Sequence, residues 1–339
     1  MKNISVYFTT RNCLDMNYPF QASIKSSFEF ADEIIVSDTS NINEGTKDIL
    51  QDLSKDFGKN FKIITPTFID WNAKNSGIYD GLSKAFARES CTGVYCWQQD
   101  VDEVIEQTPD IRQKIENLAS KLDKENPLIS TLVVEYWGST GKVRIDINSW
   151  KERLSLNDPN ITHGIPMSHR KLIDGLLYSH QGSDGCNVIY KNSGQPVNCL
   201  NFVTAQSEDV RRKAVVDQQF VPVYENWVNK IGDRLPVVHH YSWWSVYSKM
   251  EKYKKFWNNS WQSLYCELRP KGYNPFFDRP FEEVSEQEMR DTAKRIEEET
   301  AGHIFHMPYV SGVSPKTNSI RFNKPNPKLV EEWCDRNRG

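Results

Sequence analysis

The chain has 339 residues, 38% hydrophobic and 26% charged, which is the composition of an ordinary globular protein. Its formal net charge of −3 provides no strong overall field, so neither nucleic acid nor an anionic membrane is an expected partner. The N-terminal apolar run is too short for a signal sequence, no run of 18 apolar residues follows, and the seven cysteines form no CxxC pair. We therefore expect a reduced, cytoplasmic protein without a transmembrane segment.

The first 107 residues alternate strand and helix signals. Strands are predicted at 4–10, 32–38, 61–68 and 93–99, with a helix between each pair. This order predicts a mainly parallel α/β sheet with right-handed crossovers. Ligands bind such sheets at the carboxyl ends of the strands, where polar residues are the first candidates for a site. Those residues are Thr9, Thr10, Arg11, Asp38, Asp70, Asn72, Lys74, Asn75, Asp100 and Asp102.

The rest of the chain is less regular. A strand is predicted at 130–138, and a loop-rich region then runs from 139 to 235, as is typical of segments that shape a binding site. A long helix is predicted at 245–267, and its lysines between 249 and 255 are interpreted as a solvent-exposed face. Contact with a phosphate-bearing acceptor or a membrane surface is the alternative for those lysines. The polar tail is expected on the surface.

The most informative stretch is "WQQDVDEV", in which a buried strand ends in three carboxylates. Asp100 and Asp102, two residues apart, can both reach one hard divalent cation such as Mn²⁺ or Mg²⁺. A cation held in this way keeps open positions that a diphosphate can fill. The alternative is a solvated acidic turn that caps the next helix. Glu103 is interpreted as a residue that holds the loop.

The same "DVDEV" also resembles the D-x-D-x-[T/V] signature of haloacid-dehalogenase-like phosphatases, in which the first Asp, here Asp100, is a nucleophile. That signature lies on the first strand of those proteins. Here about 90 residues of βα units precede it, so the phosphatase is the weaker interpretation.

Three segments together resemble family 2 glycosyltransferases of the GT-A fold. "ADEIIVSDTSNINEGT" is similar to the family's "vDEiivvDdgStDgT", and "FIDWNAKNSGIYDGLSKAFARESCTGVYCWQQDVDE" is similar to its segment from "arN" to "lDaDE". The match spans residues 4 to about 107. It implies a GT-A α/β fold and an inverting, metal-dependent enzyme that moves a sugar from a UDP- or GDP-linked donor to a saccharide or lipid-linked acceptor. A non-catalytic carbohydrate- or nucleotide-binding protein on the same scaffold is the alternative.

The resemblance also implies roles for single residues on the donor side. Asp38 would accept hydrogen bonds from the nucleotide base or ribose, and Thr9 and Arg11 would line the same pocket. Lys74 and Asn75 occupy the family's "RN" positions. A lysine ammonium group therefore replaces an arginine guanidinium group, which can donate two parallel hydrogen bonds.

The resemblance places the metal and the catalytic base later in the chain. Asp100 and Asp102 would hold the donor diphosphate through the metal, and a C-terminal histidine completes the site in many members. Adjacent strand residues point to opposite faces, so at most one of His239 and His240 is expected to meet the metal, and His240, next to the polar "YS" step, is preferred. His303 and His306 are the alternatives.

The general base is expected about 80 to 110 residues after the DxD motif. Asp184, in "HQGSDGC", is preferred. Glu208 and Asp209 match the family's "ED", but three basic residues follow them, so a surface salt-bridge cluster is the competing interpretation. Glu135, at the end of a strand, is a further candidate.

Other aromatic and imidazole groups are candidates for the acceptor pocket, with core packing as the competing interpretation. They are His163, His169, Trp137, Trp150, Trp243 and Trp244. The predicted organisation is a donor-binding half at 1–107, an acceptor-binding and catalytic half at 108–240, and a C-terminal helical extension with a surface tail at 241–339.

Overall fold

A computed structural model describes the chain at 3–41, 44–71, 78–144, 150–164, 172–173, 176–177, 188–200, 221–257, 276–277, 279–299 and 319–337. The helices in these ranges are α1 Phe20–Lys25, α2 Thr46–Phe57, α3 Ile78–Glu89, α4 Ile111–Ala119, α5 Val221–Gly232, α6 Val246–Lys252, α7 Glu286–Glu299 and α8 Glu331–Arg336. A π-helical turn, Tyr253–Trp257, continues α6, and 3-10 turns lie at Phe281–Glu283 and Lys328–Val330. None of the helices in these ranges has the length and apolar character that crossing a bilayer requires.

The strands are β1 Ile4–Thr10, β2 Glu33–Asp38, β3 Phe61–Ile64, β4 Tyr95–Gln98, β5 Glu103–Ile105, β6 Leu128–Trp137, β7 Lys142–Arg144, β8 Trp150–Leu156, β9 Ile161–His163, β10 Leu172–Ile173, β11 Leu176–Leu177, β12 Val188–Tyr190, β13 Cys199–Leu200, β14 Val237–Trp243 and β15 Ser319–Arg321. The main sheet has the order β15-β7-β6-β8-β4-β1-β2-β3, with β13 and β14 also paired to β6, and β5 paired to β14.

The first four strands form the parallel part of the sheet, in the order β3-β2-β1-β4. Alternate residues of β1 pack on opposite faces. Ile4, Val6 and Phe8 belong to the apolar core that also holds α1, α2 and α4, whereas Tyr7 packs in a separate cluster with Ala87 of α3. Burial on both faces explains why β1 and β2 read as continuous apolar runs, whereas β3, at the sheet edge, is partly exposed. The predicted α/β class with a mainly parallel first half is confirmed.

The second half of the sheet is mixed. The strand β8 runs antiparallel to both β4 and β6, and β14 runs parallel to β6. The strand β5 turns back after β4 and pairs antiparallel with β14. The interpretation of 139–235 as loop-rich is therefore wrong for β8, which lies between β4 and β6 inside the sheet.

The last segment, 319–337, is packed into the protein, and the expectation of a surface tail is wrong for it. Phe322, Val330, Trp333 and Cys334 are buried in a core cluster with β6 and β14. The strand β15 pairs with β7 at the sheet edge. The polar composition of the tail concealed these anchors, because single apolar residues spaced along a polar segment produce no periodic signal. The boundaries at 107 and 240 stay a prediction.

Candidate functional site

Asp38 ends β2 as a fully buried carboxylate. Its Oδ1 accepts hydrogen bonds from the hydroxyls of Thr10 and Ser40, both at 2.7 Å. Its Oδ2 is buried and accepts no hydrogen bond from the described residues, with Lys47 Nζ at 3.9 Å. A buried carboxylate oxygen without a donor is costly unless a ligand supplies one. Asp38 therefore offers an acceptor at the carboxyl edge of the sheet.

Arg11 and Trp71 lie together beside this edge. The Arg11 guanidinium carbon is 4.1 Å from the centre of the Trp71 ring, and Trp71 meets Tyr79 edge to face at 6.0 Å. Burial lowers the pKa of Arg11 to about 10. Thr9 is half-buried on the face of β1 opposite to Thr10.

Several predicted residues fall outside the described part of the chain. On the donor side these are Lys74 and Asn75. The candidate bases are Asp184, Glu208 and Asp209, the alternative metal ligands are His303 and His306, and the acceptor-pocket candidate is His169. Their assigned roles stay predictions.

The loop after β4 is anchored by several side chains. Gln99 donates through Nε2 to the carbonyl oxygens of Ser23 and Glu103, both at 2.9 Å, and Ser23 Oγ donates to the backbone oxygen of Asp100 at 2.9 Å. Glu103 forms a buried ion pair with Arg153 of β8, and one of its carboxylate oxygens accepts from the backbone N–H of Asp100 at 3.2 Å. The interpretation of Glu103 as the residue that holds the loop agrees with these contacts.

Asp100 is engaged by cationic and amide donors. Lys84 Nζ lies 2.9 Å and Gln98 Nε2 2.9 Å from its Oδ1, and Lys84 also contacts Asp80 at 3.3 Å. Burial alone would raise the pKa of Asp100, but the attraction of Lys84 and Arg153 holds it well below its usual range. Asp100 is thus a fixed anion whose Oδ1 already has protein partners.

Asp102 and His240 converge. Oδ1 of Asp102 lies 3.3 Å from Nε2 of His240, and Oε2 of Glu135 lies 2.7 Å from the other ring nitrogen, Nδ1. The strand register explains the arrangement, because His240 of β14 is the direct partner of Glu135 on β6 and of Glu103 on β5. Cross-strand partners project from the same face of a sheet.

The charges of this group are strongly coupled. Lys151 of β8 forms a buried ion pair with Glu135. Burial alone lowers the pKa of His240, but the carboxylates of Glu135 and Asp102 more than offset it and raise the pKa to about 10. The pKa of Glu135 lies well below its usual range, because His240 and Lys151 outweigh the effect of burial. Glu135 therefore contacts Nδ1 of His240 and pairs with Lys151, an arrangement that can orient the imidazole, and its candidacy as the general base stays a prediction.

A divalent metal fits part of this group. Mg²⁺ and Mn²⁺ are commonly held by one or two protein side chains together with phosphate oxygens. Asp102 and the Nε2 of His240 offer such a pair, whereas no three histidine, cysteine or acidic side chains converge on one metal position in the part of the chain described. Asp100, the other predicted ligand, is directed toward Lys84 and Gln98. Asp102 and His240 are the pair that could hold the cation.

We expect Glu135→Gln to weaken Mn²⁺ binding by roughly 10- to 100-fold, which is the usual effect of losing the carboxylate that orients a metal-binding histidine. Isothermal titration with MnCl₂ measures the effect. Glu297→Gln is the control, because Glu297 is partly buried and contacts the α6 amide of Val246 at 2.7 Å. Equal Mn²⁺ affinity in wild type and Glu135→Gln would contradict the positioning role.

The remaining candidates for the acceptor pocket are mostly core residues. Trp137, Trp150 and Trp243 are 0%, 5% and 6% exposed. Trp244 is half-buried and packs edge to face on Trp333 at 5.3 Å. His163 is fully buried, with Nδ1 3.0 Å from the carbonyl oxygen of Gly164. Core packing therefore accounts for these tryptophans, and none of the first three offers a face to a sugar.

Two lysines beside the site were not expected there. Lys249 and Lys252 of α6 are 9% and 5% exposed, which corrects their interpretation as a solvent-exposed face. Lys254, in the following turn, is exposed as predicted. The sequence spacing indicates that Lys249 is buried, because it lies three residues after Val246 and four before Tyr253, on the helix face that packs into the core.

No family model and no curated protein matches the chain. Among solved structures, S. aureus TarS 1–349 shares 10% identity over 77% of this chain and 80% of that chain, with a TM-score of 0.33. Glucosyl-3-phosphoglycerate synthase from Mycobacterium tuberculosis, solved with Mn²⁺, UDP and phosphoglyceric acid, shares 14% over 39% and 43%, with a TM-score of 0.26. The bifunctional glycosyltransferase WbbM shares 12% over 39% and 23%, with a TM-score of 0.27.

TarS 1–349 has also been solved with UDP and with UDP-GlcNAc. This chain covers 49% of the longer TarS structure. The TM-scores of these neighbours all lie below 0.5.

Proposed function

We propose that the chain is a glycosyltransferase that moves a sugar from a nucleotide-diphosphate donor to a hydroxyl group of a saccharide or lipid-linked acceptor, with inversion and with a divalent metal. The convergence of Asp102 and His240 supports this proposal most. The two side chains meet at the carboxyl edge of the sheet, where Asp38 leaves a buried acceptor oxygen open.

Each described residue of the site has a part in this proposal. Asp38 accepts a hydrogen bond from an N–H or O–H group of the nucleoside. Asp102 and His240 would hold Mn²⁺ or Mg²⁺, which supplies positive charge to the departing diphosphate when it is bound. Glu135 holds the imidazole in position, and Lys84 fixes Asp100.

The acceptor hydroxyl must lose its proton to a general base during transfer. Asp184 remains our preferred candidate, with Glu208 and Asp209 as alternatives. We assign Glu135 the role of positioning His240, because it contacts Nδ1 of that imidazole and pairs with Lys151.

A thermal-shift screen of UDP and GDP, each with and without MnCl₂, tests the donor site. One nucleotide with Mn²⁺ is expected to raise the melting temperature by about 5 °C when it is present at roughly a hundred times its dissociation constant. Uridine or guanosine, which lack phosphates, are the controls. No shift with either diphosphate would contradict the proposal. Release of the same nucleotide from its sugar conjugate then distinguishes an enzyme from a binding protein.

A further inference from the structure

The ammonium groups of Lys249 and Lys252 are the unexplained charges of the site. The Nζ atom of Lys252 is itself buried and makes no hydrogen bond to the described residues, and the Tyr18 ring centre lies 3.9 Å from it. Lysines that merely cover apolar surface keep the ammonium group in water. Lys252 does not, so its burial requires another reason.

Lys249 lies in a similar environment. Its Nζ contacts Oγ of Ser242 and lies 5.3 Å and 5.4 Å from the ring centres of Trp243 and Tyr253. Among the described residues no carboxylate forms an ion pair with either lysine nitrogen, although the charge of Asp102 acts on both. Burial lowers the pKa of both lysines, to about 7 for Lys252, where repulsion from Lys249 acts in the same direction. An anion bound between them would stabilise the charged form of both groups.

The position of the pair indicates which anion that is. Ser242 follows His240 by two residues on β14, and the backbone N–H of Tyr241 donates to the carbonyl oxygen of Asp102 at 2.8 Å. The lysines therefore lie beside the carboxylate that could hold the metal. A phosphate group fits this position, because it has enough oxygens to accept from both ammonium groups and still offer one to a metal at Asp102.

We propose that Lys249 and Lys252 form a phosphate subsite beside Asp102. The subsite rests on the contacts of the lysines themselves. Its assignment to one of two sources, the donor's diphosphate or a phosphate on the acceptor, rests on the proposed function. In either case the helix α6 contributes positive charge beside the ends of the sheet strands.

Inorganic pyrophosphate is the probe for the subsite, titrated calorimetrically without metal at constant ionic strength. Lys252→Gln and Lys249→Gln are each expected to weaken its binding about tenfold or more, the usual effect of losing a charge-assisted hydrogen bond. Lys254→Gln removes the same charge from the exposed turn that follows and is expected to change the affinity less than twofold. Equal affinities in all three variants would overturn the proposal.

Melting temperature distinguishes a binding role from a structural one. Without ligand, Lys252→Gln is expected to melt at or above the wild-type temperature, because it removes an unpaired buried charge, and to lose the stabilisation by pyrophosphate. A lower melting temperature together with undiminished stabilisation by pyrophosphate would make Lys252 a structural residue and overturn the subsite.

Titrations with UDP and uridine distinguish the two sources. A donor subsite predicts that Lys252→Gln weakens UDP binding and leaves uridine binding unchanged. An acceptor subsite predicts that Lys252→Gln leaves UDP binding unchanged. It also predicts that Lys252→Gln lowers the affinity for pyrophosphate when the protein is saturated with UDP.

The failure of the subsite can be distinguished from the failure of the proposed function. If the wild type turns over a nucleotide sugar and Lys252→Gln loses no pyrophosphate affinity, the subsite is wrong and glycosyl transfer stands. If Lys252→Gln loses pyrophosphate binding but the wild-type protein binds no nucleotide, the phosphate subsite stands and the proposed glycosyl transfer is contradicted.

Discussion

Asp102→Asn is expected to lower nucleotide-sugar turnover by roughly 5- to 50-fold or more at an Mn²⁺ concentration that half-saturates the wild-type protein. Loss of a residue that only orients a ligand costs about 10- to 100-fold in metal affinity, so the loss of a direct ligand should cost at least as much. Asparagine keeps the volume of the side chain, which is 7% exposed, so the fold should persist. Release of UDP or GDP from the sugar conjugate measures the effect, and Mn²⁺ titration locates it at the metal.

Two further variants make this experiment decisive. Asp56→Asn removes one carboxylate from the surface, 3.8 Å from Lys25, and is expected to have no effect on turnover. Asp100→Asn tests the phosphatase alternative, in which Asp100 is the nucleophile. Loss of phosphate release from a phosphomonoester in Asp100→Asn, with normal activity in Asp102→Asn, would contradict glycosyl transfer and favour the phosphatase.

The parallel half of the fold could be predicted from the sequence because its inner strands β1 and β2 are buried on both faces. Apolar runs such as Ile4–Thr10 and Glu33–Asp38 then stand out, and the polar residue that ends each run marks the site edge. Asp38 and Asp102 were identified in this way. His240 was chosen by its place after an apolar run, and the structure brings it to Asp102 through strand register.

The strand β8 could not be predicted in this way, for a physical reason. Its sequence, "WKERLSL", places three consecutive charged residues between apolar ones, and such a pattern is typical of an edge strand or a solvated loop. Lys151 and Arg153 are buried because Glu135 and Glu103, from distant parts of the chain, pair with them. Hydrophobic periodicity contains no information about such partners.

The lysines of α6 were misinterpreted for a related reason. A charged residue within an apolar stripe is normally assigned to water, because burial of an unpaired ammonium group is unfavourable. That assignment holds only when the group has no ligand to bind. The buried position of Lys252 is therefore informative about function in a way that its residue type is not.

Glu103→Gln is expected to lower the free energy of unfolding by about 3 to 5 kcal/mol, the usual cost of removing one partner of a buried ion pair. Both side chains of the Glu103–Arg153 pair are 0% exposed, so water cannot replace the lost charge. Urea denaturation followed by circular dichroism measures the change. Glu286→Gln, which breaks the exposed pair with Arg290, is expected to leave the midpoint unchanged.

A double variant separates two contributions to the free energy of unfolding: the destabilisation by an unpaired Arg153 and the stabilisation by the Glu103–Arg153 pair. Adding Arg153→Met to Glu103→Gln is expected to recover much of the lost stability, because the uncompensated charge disappears. Metal affinity should not recover with it, since a Glu103 oxygen also accepts the Asp100 backbone N–H at 3.2 Å and so orders the loop that presents Asp102. Recovery of stability and of Mn²⁺ affinity together would mean that Glu103 acts on the site only through the stability of the sheet.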